Sequence, residues 1–225
     1  IISTLATSHE SALSRIEAEL ISDLNRTFQD SQNIANSRVL RLEAMLLQVN
    51  STIINDLFAD AIRLKPSSYH ALQYINRNGI IYNEVVNERG IPKISGASYV
   101  PRTNKNITQS QAFQLALQAL SVDDYYIGDF SLLMDAYGIP VQPLQPYFSV
   151  YVPIFDMDNS RIPLGVLRFV VVADGILNTV NSPIVIESEA PAGRDFVLLD
   201  NNNHVIAHSN ASPQDYLYDL VGVHE

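Results

Sequence analysis

"PYFSVYVPIFD", Pro146 to Asp156, is the stretch on which the fold turns. Side chains alternate along an extended strand. Tyr147, Ser149 and Tyr151 therefore share one face, and Phe148, Val150 and Val152 share the other. The turn-like "MDNSR" follows, and then the apolar run "PLGVLRFVVVADGIL". The two runs read as a long antiparallel hairpin. The Phe–Val–Val face suits a core packed by helices, which leaves the Tyr–Ser–Tyr face to be explained.

Upstream of this hairpin the grammar is mixed. "YHALQYINRNGIIYNEVVNERGIP" holds two β-type runs around "NRNG" (Asn76–Gly79), a hairpin signal. "ASYVPRTNKNITQ" reads as loop. "SQAFQLALQAL" (Ser110–Leu120) carries a plausible N-cap serine and an apolar stripe, so a short helix is expected. "DYYIGDFSLL" is a third strand and "DAYGIPVQPLQP" a Pro-rich loop. Downstream, "DGILNTVN" leads out through a helix or turn. After the linker "SPIVIESEAPAG" comes another short hairpin, "DFVLLD"–"NNN"–"HVIAHS", and a helical tail "SPQDYLYDL".

The first 65 residues hold neither Gly nor Pro. Ile2, Leu5, Ala12, Ile16, Leu20, Leu24 and Phe28 step at helical spacing. So do Val39, Leu42, Leu46, Val49, Ile53, Leu57, Ala61 and Leu64. The polar "DSQNIANS" (Asp30–Ser37) is a place for a bend or break, and Pro66 ends the helix. Uninterrupted, such a helix would run about 90 Å. It must protrude, pack on a partner chain or fold back. Its near-heptad spacing favours a protruding, dimerising stalk over an antiparallel helical hairpin.

The expected order is long helix, two strands, helix, three strands and a second small unit. That is an α+β fold. Residues 1–66 form the stalk helix, 67–182 an antiparallel five-stranded PAS-like lobe, and 183–225 the linker and start of a second, smaller lobe.

Composition removes several functions. The 225 residues carry a net charge of −10 with 14 Lys+Arg. A nucleic-acid binder needs a basic stripe, and anionic lipid needs basic residues too. Without Cys there are no disulfides, thiolate metal sites or cysteine nucleophiles. No apolar run reaches the ~18 residues of a membrane span. The chain opens mid-pattern with no signal peptide, which reads as a piece of something longer.

Candidate chemistry is sparse. None of the five histidines sits in a G-x-S-x-G context, so no serine hydrolase is expected. His204 and His208, at i and i+4, would lie about 13 Å apart on a strand, too far for one metal. "DMDNS" (Asp156–Ser160) mimics a calcium loop, but Arg161 replaces its glycine and the closing Glu is absent. It reads as a turn, as does "DNNN" (Asp200–Asn203). Asp123–Asp124 and Glu187/Glu189 read as solvated charge. The sequons at Asn25, Asn50, Asn106 and Asn210 read as chance. No cofactor or metal site is expected.

Arg168 is different, as the one cation in "GVLRFVVVAD". A charge in so apolar a strand is costly unless paired or solvated. Its planar fork matches a carboxylate. Asp129 or Glu84 could satisfy it internally, and an anionic ligand externally. Both alternatives stay open. The candidate pocket is Tyr126, Asp129, Tyr147, Ser149, Tyr151 and Arg168, with Tyr74 and Tyr82 as wall residues.

Four segments together carry a family likeness. "YHALQYINRNG" (Tyr69–Gly79) resembles the opening hairpin of extracytoplasmic double-Cache, or PDC, sensors. "LMDAYGIPVQPLQPYFSVYVPIFD" (Leu133–Asp156) and "GVLRFVVVADGIL" (Gly165–Leu177) are similar to that family's later strands. "FVLLDNNNHVIAHSNASPQDY" (Phe196–Tyr216) resembles the first hairpin of its second, membrane-proximal lobe. The resemblance implies a sensor outside the membrane, held between membrane helices absent from this chain. It would feed a histidine kinase, chemoreceptor or cyclic-dinucleotide enzyme. It further implies pairing through the long helix and a small ligand in the distal lobe. There are departures: Glu84 and Ser149 stand where relatives often place Arg, and Asp129 where Ser is common. The Trp of the amino-acid-binding branch is missing. No known ligand carries over.

Overall fold

The computed structural model describes residues 2–46, 51–94, 102–103, 105–128, 130–133, 145–157, 162–173, 179, 197–199 and 205–208. Asp129, Glu187, Glu189, His204, the Pro-rich segment 135–144 and the tail 212–220 lie outside them.

Among the described residues the N-terminal region without Gly or Pro forms three helices, which corrects the single stalk helix expected over 1–66. Helix α1, Ile2–Ala35, has 34 residues. It stops where Ser37 adopts extended backbone and its hydroxyl accepts the Leu40 N–H at 3.3 Å, opening α2, Arg38–Met45. Ser51 likewise caps α3, Thr52–Leu64, by accepting from the Ile54 N–H. Its hydroxyl also donates to the Glu43 carboxylate at 2.6 Å, tying α2 to the start of α3. Serine side chains compete with helix continuation, and here they win twice. Pro66 then keeps the chain from resuming the helix.

In chain order the remaining elements are β1 (Tyr69–Asn76), β2 (Ile80–Glu88), β3 (Ile91–Ile94), β4 (Arg102–Thr103), α4 (Lys105–Gln109), α5 (Gln111–Leu117), β5 (Tyr126–Ile127), β6 (Ser131–Leu132), β7 (Pro146–Phe155), β8 (Pro163–Val172), β9 (Val197–Leu199) and β10 (Val205–His208). The expected third strand is thus two short ones, β5 and β6. The expected loop at 97–109 contains β4 and α4. The chain divides into two compact units, residues 27–128 with 148–172, and residues 1–26, 129–147 and 173–225.

In the first of these units the sheet runs β3-β2-β1-β8-β7-β5, with β4 also beside β2. The pairings β1–β2, β1–β8, β2–β3, β2–β4 and β5–β7 are antiparallel. The register assigns the two faces. Leu72 lies opposite Val85 and Phe169, and Tyr74 opposite Asn83 and Leu167. This face meets α3: Asn83 Nδ2 donates to the Ser51 carbonyl and to Asn55 Oδ1, both at 3.0 Å. Ile54, Phe58 and Ile62 of α3 are fully buried. Each contributes about 2 kcal/mol of apolar burial. Gln73, one residue from Tyr74, lies opposite Glu84 and Arg168 on the other face.

One glycine permits a close approach. A Cβ on Gly165 would lie 2.5 Å from the Ile75 carbonyl and 2.8 Å from the Tyr74 ring. The missing side chain lets β8 pair closely with β1 and leaves room for the Tyr74 ring over Gly165.

In the second unit, Ile16 and Leu20 of α1 pack against Leu198 of β9 and Ala207 of β10. The middle of α1, at Ile16 and Leu20, is thus covered on one flank by the second hairpin. Ser131 and Leu132 pair with Tyr147 and Pro146, and the Ala173 N–H donates to the Pro146 carbonyl at 2.9 Å.

Candidate functional site

The face of the sheet away from α3 carries a mixed surface. Its apolar part joins Ile75, Ile81 and Val166 from the strands to Ile107 of α4 and to Ala112, Phe113 and Ala116 of α5. Tyr151 is part of this cluster, and Leu117 and Tyr126 pack against it. The "NRNG" turn seats α4: Gly79 has φ +76°, and a Cβ there would collide with the Thr108 side chain.

The polar part is organised by Arg168. Its Nε donates to Ser149 Oγ at 2.9 Å, and its Nη1 donates to Gln73 Oε1 at 3.1 Å. Gln73 Nε2 in turn donates to the Glu84 carboxylate. The guanidinium carbon lies 5.6 Å from the Tyr151 ring centroid, within cation–π range. Phe113 meets Tyr151 edge-on, with centroids 6.4 Å apart. Ser149, Tyr151 and Gln73 are 3, 3 and 6 % exposed, whereas Arg168 is half-buried. Among the described residues no carboxylate lies within ion-pair distance of Arg168. Glu84, one of the two internal partners considered for Arg168, reaches it only through Gln73. The intervening β1 strand puts Glu84 and Arg168 about 10 Å apart along the sheet.

His70 belongs to the same electrostatic neighbourhood. Burial lowers its pKa; Glu84 opposes that shift and Arg168 adds to it. Tyr126 pairs with Tyr151 across β5 and β7, and its hydroxyl pKa is raised by burial and by Asp124. The Gly128 N–H donates to the Ser149 carbonyl at 2.8 Å, closing the end of β5 onto β7.

The structure thus gathers Ser149, Tyr151, Arg168 and Tyr126 of the expected pocket. Tyr74 lies on the face that meets α3, the opposite one, because it neighbours Gln73 on β1. Its ring meets Tyr82 edge-on at 5.7 Å. Tyr74 is therefore withdrawn as a wall of the Arg168 pocket, and Tyr82 with it. Tyr147 belongs to the other compact unit, where it pairs with Ser131. Asp129 lies outside the described residues. Gln73 and His70 escaped the sequence reading. Gln73 had one signal, an amide in the apolar run "YHALQYIN". Among the described residues no cluster of His, Cys, Asp or Glu could hold a metal ion, and no helix is long and apolar enough to cross a membrane.

No protein-family model matches the chain, and no curated protein matches it significantly. Solved structures do. A domain of a sensory box/GGDEF family protein from Vibrio parahaemolyticus is 17% identical, with a TM-score of 0.67 over 94% of this chain and 73% of that one. The sensor domain of the V. cholerae histidine kinase DctB is 15% identical, with a TM-score of 0.60 over 96% of this chain and 70% of that one. The sensory domain of the Campylobacter jejuni chemoreceptor Tlp3, solved with isoleucine bound, is 16% identical, with a TM-score of 0.55 over 92% and 71%. The fold of this chain is that of the Cache, or PDC-like, extracytoplasmic sensor domains of histidine kinases, chemoreceptors and GGDEF proteins.

Proposed function

We propose that this chain is the extracytoplasmic sensor region of a transmembrane receptor, a histidine kinase, with no catalytic step of its own. A small carboxylate-bearing molecule binds the face that carries Arg168, with Ser149, Tyr151 and Tyr126 around it. The chain pairs with a second copy through its N-terminal helix, and flanking helices outside this sequence hold it in the membrane. A chemoreceptor or a cyclic-dinucleotide enzyme is the alternative output.

The observation that carries this is the state of Arg168. It is half-buried, placed over the Tyr151 ring and held by two neutral acceptors, with no carboxylate at ion-pair distance among the described residues. A guanidinium so oriented is preorganised for an anionic group. The similar Tlp3 domain has isoleucine, a carboxylate-bearing molecule, bound. A thermal-shift screen of small carboxylates, amino acids and sugars tests the reading. At least one carboxylate should stabilise the wild type and fail to stabilise a folded Arg168→Ala variant. Equal stabilisation of both would refute the site.

A second reading has its own support. Gln73, Ser149 and Tyr151 are almost fully covered. A sensor that docks a periplasmic protein instead would be filled in this way, and no compound in the screen would stabilise it.

A further inference from the structure

Tyr125 and Tyr126 are consecutive residues that engage different parts of the molecule. The Tyr125 ring stacks on Phe28 of α1, with centroids 3.9 Å apart and planes at 22°. Tyr126 packs against the cluster containing Tyr151 and Phe113, and its backbone pairs with Tyr151. Opposite-facing neighbours are what extended backbone imposes.

The hold of α1 on this segment is more than one ring. Gln32 Nε2 donates to the Asp123 carbonyl at 2.5 Å, and Asn36 Nδ2 to the Val122 carbonyl at 3.5 Å. Phe28 and Gln32 of α1 and Asn36, the residue just past its end, step by four, so the last turns of α1 and its exit grip residues 122–125. The segment is short and locally braced. Asp124 accepts from the backbone N–H groups of Leu120 and Ser121, at 3.2 and 3.1 Å. A braced segment moves as a body rather than absorbing a displacement at either end.

We infer that the Tyr125–Tyr126 pair is the mechanical link between the Arg168 site and α1. A change at Arg168 alters the seat of Tyr151, and with it the strand pairing that holds Tyr126. The displacement passes through one peptide bond to Tyr125 and shifts its stack on Phe28. Residues 28–36, the end of α1 and the residue after it, are the receiving element. This rests on the proposed function, because it takes the Arg168 cluster as the place where the input arrives. Coupling of this kind needs a demonstrated energetic link, not adjacency alone.

Hydrogen exchange, read by mass spectrometry on this chain without any ligand, supplies the test. Two site variants, Arg168→Ala and Ser149→Ala, are compared in two backgrounds. One is wild type; in the other, Tyr125→Ala and Gln32→Ala together release the grip. In the wild-type background the site variants should change exchange in residues 28–36 by about two- to thirtyfold. In the released background the same variants should leave that segment within about 1.5-fold of its parent. An unchanged segment 28–36 beside a clear change in β1 would overturn the link. So would an equal change in both backgrounds, since the route would then lie elsewhere. Ser149→Ala keeps the test valid if Arg168→Ala does not fold. No ligand enters, so a failure here leaves the carboxylate reading to the thermal-shift screen, and a failed screen leaves this coupling to stand or fall by itself.

Discussion

Arg168 sits over the ring of Tyr151, its guanidinium carbon 5.6 Å from the ring centroid. At a half-buried position such a contact contributes about 1 kcal/mol beyond simple packing. A double-mutant cycle isolates it. Tyr151→Phe keeps a ring, while Tyr151→Leu does not. We expect Tyr151→Leu to lower stability more than Tyr151→Phe, and that difference to shrink by about 1 kcal/mol in an Arg168→Leu background, the remainder being the packing of the ring on Phe113. Urea unfolding measures all the required variants. If the difference is undiminished without Arg168, the ring acts through packing alone.

Gly165 gives a backbone test. A Cβ there would approach the Ile75 carbonyl and the Tyr74 ring, at 2.5 and 2.8 Å. The carbonyl belongs to a paired strand and has little freedom to retreat. Overpacking of this kind costs about 1–3 kcal/mol. Gly165→Ala should therefore lower the urea midpoint with an unchanged slope. Gly90→Ala is the contrast. A Cβ at Gly90 meets nothing within 4 Å, and only its φ of +87° penalises the change.

These two sites also show what could be read in the chain before its structure. The parity of "PYFSVYVPIFD" placed Ser149 and Tyr151 together, and a lone cation in an apolar strand singled out Arg168. Period-two alternation is a local property, so it survives without tertiary information. The partner of Arg168 was not legible. Gln73 contacts it only because β1 lies between β2 and β8 in one register, and that register shifts between Tyr74 and Ile75 on the β2 side. Tyr74 was misplaced because a tyrosine in a strand gives no sign of which face it takes until its neighbours are paired. The helix breaks were half legible. The polar "DSQNIANS" marked the first, but nothing marked Ser51 as a cap. Its hydroxyl is held by Glu43, eight residues earlier, a separation that no helical pattern brings together.

Tyr74 supplies a pH dependence. Its side chain is fully buried, and its hydroxyl has no hydrogen-bond partner among the described residues. Burial, and then the neighbouring Tyr82, pushes its pKa above the ordinary value of 10.0. The folded protein thus keeps this proton where the unfolded chain loses it. The unfolded state binds fewer protons above about pH 10, so stability falls as pH rises through that range. We expect the wild type to lose about 1 kcal/mol more than Tyr74→Phe between pH 10 and pH 11. At neutral pH, Tyr74→Phe should be neutral or slightly stabilising, because it removes a buried polar atom that gains no bond. Thermal or urea unfolding at several pH values decides both points. Parallel pH profiles for the two proteins would show that Tyr74 ionises as freely in the folded state as in the unfolded one.

Asp30 ties α1 to two other elements: its carboxylate accepts from Lys65 Nζ at the end of α3 and from the Tyr69 hydroxyl at the start of β1. Beside it lies a cavity of about 170 Å³, lined by Asn33, Ile34, Ala61 and Leu64 as well. The two bonds should not be equal. Lys65 and Asp30 each keep 31% of their side-chain surface in solvent, so their ion pair is screened and contributes less than about 1 kcal/mol. The Tyr69 side chain is only 2 % exposed, and its hydroxyl meets a charged acceptor. Such a bond is stronger, about 1.5–3 kcal/mol. Tyr69→Phe should therefore destabilise more than Lys65→Met, although Lys65→Met removes a formal charge. Salt separates the two further. At about 0.5 M salt the penalty of Lys65→Met should shrink, because ions screen an exposed pair, while that of Tyr69→Phe should hold. Urea unfolding of the two variants at low and high salt gives the ranking. If Lys65→Met proves the costlier change and stays so in salt, the junction is held by the ion pair, and the partial exposure of its members does not weaken it.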